Sequence, residues 1–303
     1  METVNNRKNI YRILAIEILL VIAIVSALLG EAIVNAINHK NAYDEIIYEK
    51  VSEIQGTICE TNSEAAIELQ EMILNSENAW YDEDEEKWVI ACTVYTNKVV
   101  DESFVRGALG LEVGQNYGIS DYLIFGVIDD YEYYVNNLDD NGVDEWNVTV
   151  WSDVSPEDQQ LIISTAQTIA DKAVGSDAEK VRIITKEIDE MLTYEIIDGN
   201  NLATVIRTGK GCCRHYANLF SLVCTYAGID SRIVGGNSDN EGHAWNIVEV
   251  DGRWYHVDPT WEDEENEKWV LLGSGTIMET RELLPEYEVI NEIYDISEED
   301  YAA

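Results

Sequence analysis

The chain has 303 residues, enough for one large or two modest domains. Its 59 acidic residues against 19 basic ones give a formal net charge of −40. A chain so acidic is repelled by phosphate backbones. This argues against nucleic-acid binding and leaves a self-repelling surface, cation binding or a preference for basic partners. The five cysteines, at 59, 92, 212, 213 and 224, form no CxxC pair, and with only four histidines no zinc-type spacing arises. Neither a metal nor a cofactor is expected.

Residues 1–9 are polar, with Arg7 and Lys8, and Arg12 follows. From Ile13 to Leu29 the chain is nearly all apolar, Glu17 being the one charge. Residues 10–30 are long enough to cross a hydrocarbon core as a helix. The basic residues all precede this run, so residues 1–9 are expected in the cytoplasm and the acidic remainder outside the cell. A cleaved signal peptide would want a shorter apolar core and a clear small-x-small site. The expectation is therefore an uncleaved single-pass anchor in the cell membrane, followed by a helical linker over 31–56.

Helical spacing continues through Ala65, Ala66, Leu69 and Ile73. Four stretches then change period: KWVIACTVYT, SDYLIFGVI, YEYYVNN and WNVTVWSD, all rich in β-branched and aromatic residues and separated by turn residues. They predict strands of a small α+β unit over 57–153 that carries no chemical motif. Asn137, Asp139, Asn141 and Gly142 begin like a calcium loop, but Val148 stands where a bidentate Glu is required.

Ser155 followed by Pro156 predicts a helix start, and Leu161, Ile162, Thr165, Ile169 and Ala173 mark its apolar face. Ser176-Asp-Ala-Glu179 is a capping-box pattern for a second helix bearing Val181, Ile184, Ile188 and Leu192. Gly209 and Gly211 then make a turn before a helix predicted over 213–227. Ala217, Phe220, Cys224 and Ala227 give its buried face and Gly228 its stop. Cys213 falls in the first turn, where unpaired N–H groups and the positive dipole end favour a thiolate and a lowered thiol pKa. Cys224, in mid-helix, reads as a buried hydrophobe.

Asp251-Gly252 is a strong hairpin signal between GHAWNIVEV and RWYHVDPTW. A two-residue turn pairs Val250 with Arg253, so that Trp245 faces Asp258 and His243 faces Thr260. His243 and Asp258 then share a face as diagonal neighbours, with backbones about 7–8 Å apart. A slip by one residue would separate them. Asp258 can hold one imidazole nitrogen as a donor and leave the other to take a proton from Cys213. His215 points elsewhere, two residues along the thiol's own helix. His256 projects to the face of Asp258 and is the competing base. Trp245, Trp254 and Trp261 are expected to cover the hairpin and shield the site.

Three pieces of this stretch, Gly211-Cys212-Cys213-Arg214-His215-Tyr216-Ala217, Gly242-His243-Ala244-Trp245-Asn246 and Asp251-Gly252-Arg253-Trp254-Tyr255 with Val257-Asp258-Pro259-Thr260-Trp261, occur together in order. They resemble the transglutaminase-like superfamily, specifically over 200–262 and more loosely over 155–290. The resemblance implies an α+β, papain-like core over 154–303, with a nucleophile helix packed on an antiparallel sheet. It implies Cys213 as nucleophile, His243 as base and Asp258 as orienter. An apolar residue is usual where Cys212 stands. Members include peptidases, protein cross-linkers, peptide N-glycanases and inactive homologues. The expected function is hydrolysis of an amide in a peptide or protein substrate. Glutamine transamidation and a non-catalytic surface binding module are the alternatives.

Overall fold

A computed structural model describes residues 57–76, 78–111, 118–138, 142–238, 241–262 and 268–302. The expected membrane segment, the 31–56 linker and the middle of the calcium-like loop lie outside the described residues. No helix among the described residues is long and apolar enough to cross a membrane. Nearly all of them belong to one compact unit, Ile58–Asn136 with Asp144–Ala303, and the description below concerns that unit.

The architecture is mixed α+β. A first sheet holds β1 (Ile58–Cys59), β2 (Ala79–Asp82), β3 (Lys87–Asn97), β4 (Asp130–Asn137) and β5 (Val143–Ser152). Its order is β1-β3-β5-β4, with β2 also on β3. Helix α1 (Asn62–Asn75) lays Ala65, Ala66, Leu69 and Ile73 against it, as their spacing requires. A short α2 (Ser103–Ala108) follows.

One expectation fails in this half. SDYLIFGVI is predicted as a strand, yet Ser120–Gly126 forms helix α3. An apolar run this short has no period that separates a buried strand from a buried helix turn. Here packing decides: Tyr122 and Leu123 are fully buried, and α3 packs on the later cysteine helix.

Helix α4 (Pro156–Ala170) starts as predicted, Ser155 Oγ accepting the Asp158 N–H at 3.0 Å. Helix α5 (Asp177–Met191) carries the predicted capping box, the Glu179 carboxylate reaching back to the Ser176 N–H at 2.8 Å. Strands β6 (Thr193–Tyr194) and β7 (Lys210–Gly211) pair in parallel and bracket α6 (Leu202–Thr208). Helix α7 spans Cys213–Ala227 and stops at Gly228, whose φ of +73 suits glycine. The sequence pattern marks one buried face on α7. In the structure every residue from His215 to Cys224 is buried, because α3, α4, α5 and a second sheet surround it.

That second sheet has the order β11-β10-β9-β8-β12, from β8 (Ser231–Ser238), β9 (Glu241–Val250), β10 (Arg253–Val257), β11 (Val270–Leu272) and β12 (Arg281–Leu283). Asp251 and Gly252 take φ of +53 and +78, the left-handed pair that a two-residue hairpin turn requires. Val250 pairs with Arg253 and Asn246 with Val257 in the predicted register. Val248, Val250, Tyr255 and Val257 join the large core around α7. The opposite face carries a smaller cluster of Val234, Trp245, Ile247, Trp254, Trp269, Leu272, Ile277 and Ile290.

Two details place the end of this hairpin. The ladder is predicted to run on to His243 and Thr260, but it stops at Val257, and Pro259 opens the four-residue helix α8 (Pro259–Glu262). Proline has no N–H for a ladder and its fixed φ suits a first helical turn. The freed Asp258 N–H donates instead to Trp269 O at 2.9 Å. On β11 the register shifts between His256 and Val257, and the buried Leu271 takes a φ of +60. This bulge bends β11 where Trp269 meets the site.

Candidate active site

Helix α7 brings Cys213 to the site by its N-terminus. Cys212 is the N-cap residue, in extended conformation, and Cys213 is the first helical residue. Cys212 is buried, whereas Cys213 is part exposed. The backbone N–H groups of Ala244 and Arg214 favour the charged form of Cys213.

His215 fastens the same turn. Its Nδ1 accepts the Cys212 N–H at 3.1 Å and lies 3.3 Å from Cys212 Sγ, while its Nε2 donates to Gly199 O at 3.0 Å. Two backbone groups fix this ring, so its role is to orient the turn and not to act as a base. Arg214 anchors the preceding loop by donating to the carbonyls of Ile197 and Gly199, both at 2.9 Å. Gly211 is needed beside it, since a Cβ there would lie 3.1 Å from the His215 Cβ and 3.2 Å from Val205.

The vicinal thiols act on one another, and this changes the expected electrostatics. Cys212 is pulled down to about 4, first by the Cys213 thiol and then, against burial, by His215 and Arg214. Cys213 is pushed up, first by its hydrogen bond to Cys212 and then by burial, and the N–H groups of Ala244 and Arg214 only partly oppose this. Against the lowering expected for Cys213 from its helix position, the neighbouring thiol and burial push it up. Burial pushes Cys92 up to about 12 and raises Cys59 and Cys224 as well, which leaves those thiols inert.

His243 and Asp258 meet as the hairpin register requires. His243 Nε2 donates to Asp258 Oδ2 at 2.8 Å, with the imidazole nearly buried and the carboxylate fully so. Nδ1 is the ring nitrogen that does not face Asp258. Trp245 stacks on the imidazole, with centroids 5.9 Å apart and planes within 17°. The competing histidine is accounted for. His256 is fully buried, and its Nδ1 accepts the Trp245 indole N–H at 3.0 Å. Burial pulls its pKa down to about 4, so it is a neutral core residue that holds Trp245. Trp254 packs on Tyr294 at 4.4 Å, away from the imidazole, and the Trp261 side chain lies outside the described residues.

Sheet and helix are tied at β9, where Asn246 Nδ2 donates to Ala217 O at 3.0 Å. Across the strand, Gly236 pairs with His243. A Cβ on Gly236 would lie 2.3 Å from Glu282 O and 2.5 Å from the Trp245 ring, so only glycine lets that ring lie flat against the imidazole. Tyr194 stands exposed on β6. Its hydroxyl pKa is raised, first by burial and then by the charges of Cys213, Cys212 and Glu241.

Sequence reasoning missed one charged residue. Arg281 on β12 is buried and donates to Asp258 Oδ2 through Nη2 at 2.8 Å and Nε at 3.2 Å. Its guanidinium lies 4.6 Å from the centroid of the Trp269 ring. Nothing in the local sequence TRELL marks it, because its partner is a hairpin end 23 residues earlier.

Residues 164–259 match the sequence model of the transglutaminase-like superfamily. This chain contains a transglutaminase-like domain. Human kyphoscoliosis peptidase is 33% identical over 105 residues, covering 28% of this chain and 16% of that protein. The Drosophila melanogaster peptide-N(4)-(N-acetyl-beta-glucosaminyl)asparagine amidase is 30% identical over 99 residues, covering 29% of this chain and 15% of that protein. The chain thus spans under a fifth of the length of these relatives. A solved structure described as a TGase aligns at 16% identity with a TM-score of 0.33, over 55% of this chain and 50% of that one. The matched segment of the transglutaminase-like domain holds Cys213, His243 and Asp258, and it ends before Arg281.

Proposed function

We propose that this protein is a cysteine-dependent enzyme that hydrolyses an amide bond in a peptide or protein. The observation that carries the reading is the 2.8 Å contact of His243 Nε2 with Asp258 Oδ2. Such an imidazole–carboxylate pair is what a thiol nucleophile needs for acyl transfer, and Cys213 at the head of α7 is the thiol assigned to it.

Asp258 accepts the Nε2–H of His243 and so holds the Nδ1 lone pair toward the thiol. His243 Nδ1 takes the Cys213 proton as the sulfur attacks the carbonyl carbon. The same proton passes to the leaving amine, and the acyl group stays on sulfur as a thioester. Water, deprotonated by His243, then attacks the thioester and frees the acid and the thiolate. The N–H groups in the first turn of α7 point at the forming oxyanion.

Incubation of the full-length protein with a glutamine-bearing protein and a labelled primary amine tests the reaction. New peptide termini without label support hydrolysis. Incorporated label without cleavage would instead establish transamidation. Neither product, with Cys213 inert to alkylation, would leave the binding-module alternative standing. The apolar run over 10–30 supports placing the domain outside the cell on a membrane anchor. Protease accessibility in intact and lysed cells distinguishes that placement from an internal one.

A further inference from the structure

We propose that Arg281 is a positioning residue of this site, acting through Asp258 to hold the His243 ring in its Nε2–H form. The inference rests on the triad reading and adds a fourth member from outside the matched segment. Four observations carry it.

First, a single oxygen, Asp258 Oδ2, accepts both His243 Nε2 and Arg281 Nη2, each at 2.8 Å, with Arg281 Nε at 3.2 Å. Second, Asp258 Oδ1 is buried with no hydrogen-bond partner among the described residues. The carboxylate is thus held at one end only, and the guanidinium decides which oxygen faces the imidazole. Third, the guanidinium is itself fixed. Its Nη1 donates to the Thr280 hydroxyl at 3.1 Å and carbonyl at 3.3 Å, and its plane is covered by Trp269. Fourth, the ion pair is dry, with side-chain exposures of 1% for Arg281 and 0% for Asp258.

A buried carboxylate needs a partner at every stage of the reaction. His243 supplies a positive charge only while it carries the thiol proton. Arg281 supplies one before and after, so the Asp258 carboxylate need not turn as the proton comes and goes. An arginine suits this place better than a lysine, because its fork keeps two N–H groups on one oxygen while a third nitrogen is tied to the strand.

The test compares full-length wild type with Arg281→Met, Arg281→Gln and Arg281→Lys. The first readout is ¹⁵N NMR of histidine-labelled protein, with His243 assigned by its loss in His243→Gln, at a pH where the ring is neutral. Wild type is expected to show the proton on Nε2 alone. The two neutral variants are expected to show a mixture of Nε2–H and Nδ1–H forms, and lysine to restore most of the wild-type signal. The second readout is the rate at which iodoacetamide alkylates Cys213, expected to fall about 10- to 100-fold in the neutral variants and to recover in part with lysine. A folded neutral variant whose His243 keeps a pure Nε2–H signal would overturn the proposal. If both neutral variants unfold, lysine decides alone, since a ring that loses its Nε2–H preference there contradicts the role. The NMR signal reads His243 whether or not Cys213 is the nucleophile. Failure of the triad reading shows separately, as amide cleavage retained in Cys213→Ala.

Discussion

The adjacent cysteines divide their work by where each is held. Cys212 caps α7, faces His215 and is buried, whereas Cys213 is the part-exposed first residue of the helix. Each thiol acts on the other, so that Cys212 is shifted down and Cys213 up. Substituting Cys212→Ala removes the largest cause of the raised Cys213 pKa. The remaining backbone N–H groups favour thiolate, so the pH midpoint for alkylation of Cys213 is expected to move down. Mass-resolved iodoacetamide rates across the thiol titration range check this. An unmoved midpoint would show that the neighbour does not set the protonation of Cys213. The order Cys, His, Asp was legible from residue types alone. The vicinal effect was not, because helix position predicts a lowered pKa and takes no account of the neighbouring thiol.

At the scale of elements, the hairpin was the most legible part. Asp251-Gly252 dictated its turn, and the turn dictated that His243 and Asp258 share a face. Caps at Ser155, Ser176 and Gly228 were equally local and equally readable. What depended on distant partners was not. The α3 segment became a helix because α7 packs on it, and Arg281 found its partner through the β8–β12 pairing of Arg281 with Ser238. The β8–β9 pairing makes a further demand at Gly236. The Cβ of Gly236→Ala would press on both β12 and the Trp245 ring. Overpacking of this kind costs about 1–3 kcal/mol. Thermal unfolding should show that loss, and Cys213 alkylation should slow as Trp245 leaves the imidazole. A variant with unchanged stability and unchanged alkylation would refute the packing argument.

For the molecule as a whole, a fully buried titratable group makes stability depend on pH. His256 is fully buried and its pKa falls from 6.5 to about 4 on folding. The unfolded chain therefore binds a proton in a window where the folded protein does not. Stability is fully present above about 6.5 and is lost as pH falls toward 4, by about 3 kcal/mol in all. His256→Gln keeps an acceptor for the Trp245 indole but does not titrate. Its denaturant-unfolding free energy is expected to lose less than wild type over that window, and parallel curves for the two proteins would contradict the assignment. The net charge of −40 was legible at once, and it argues against polyanionic partners without indicating a substrate.

The central claim is that His243, held by Asp258, activates Cys213. It is tested most directly by following iodoacetamide alkylation of Cys213 at neutral pH in full-length wild type and in His243→Gln, resolved from Cys212 by mass spectrometry. The account predicts that Cys213 is alkylated in wild type and that the substitution slows its alkylation by about 10²-fold or more, the contribution typical of a positioned general base. An inert Cys213 in wild type, or equal rates in the two proteins, would contradict it.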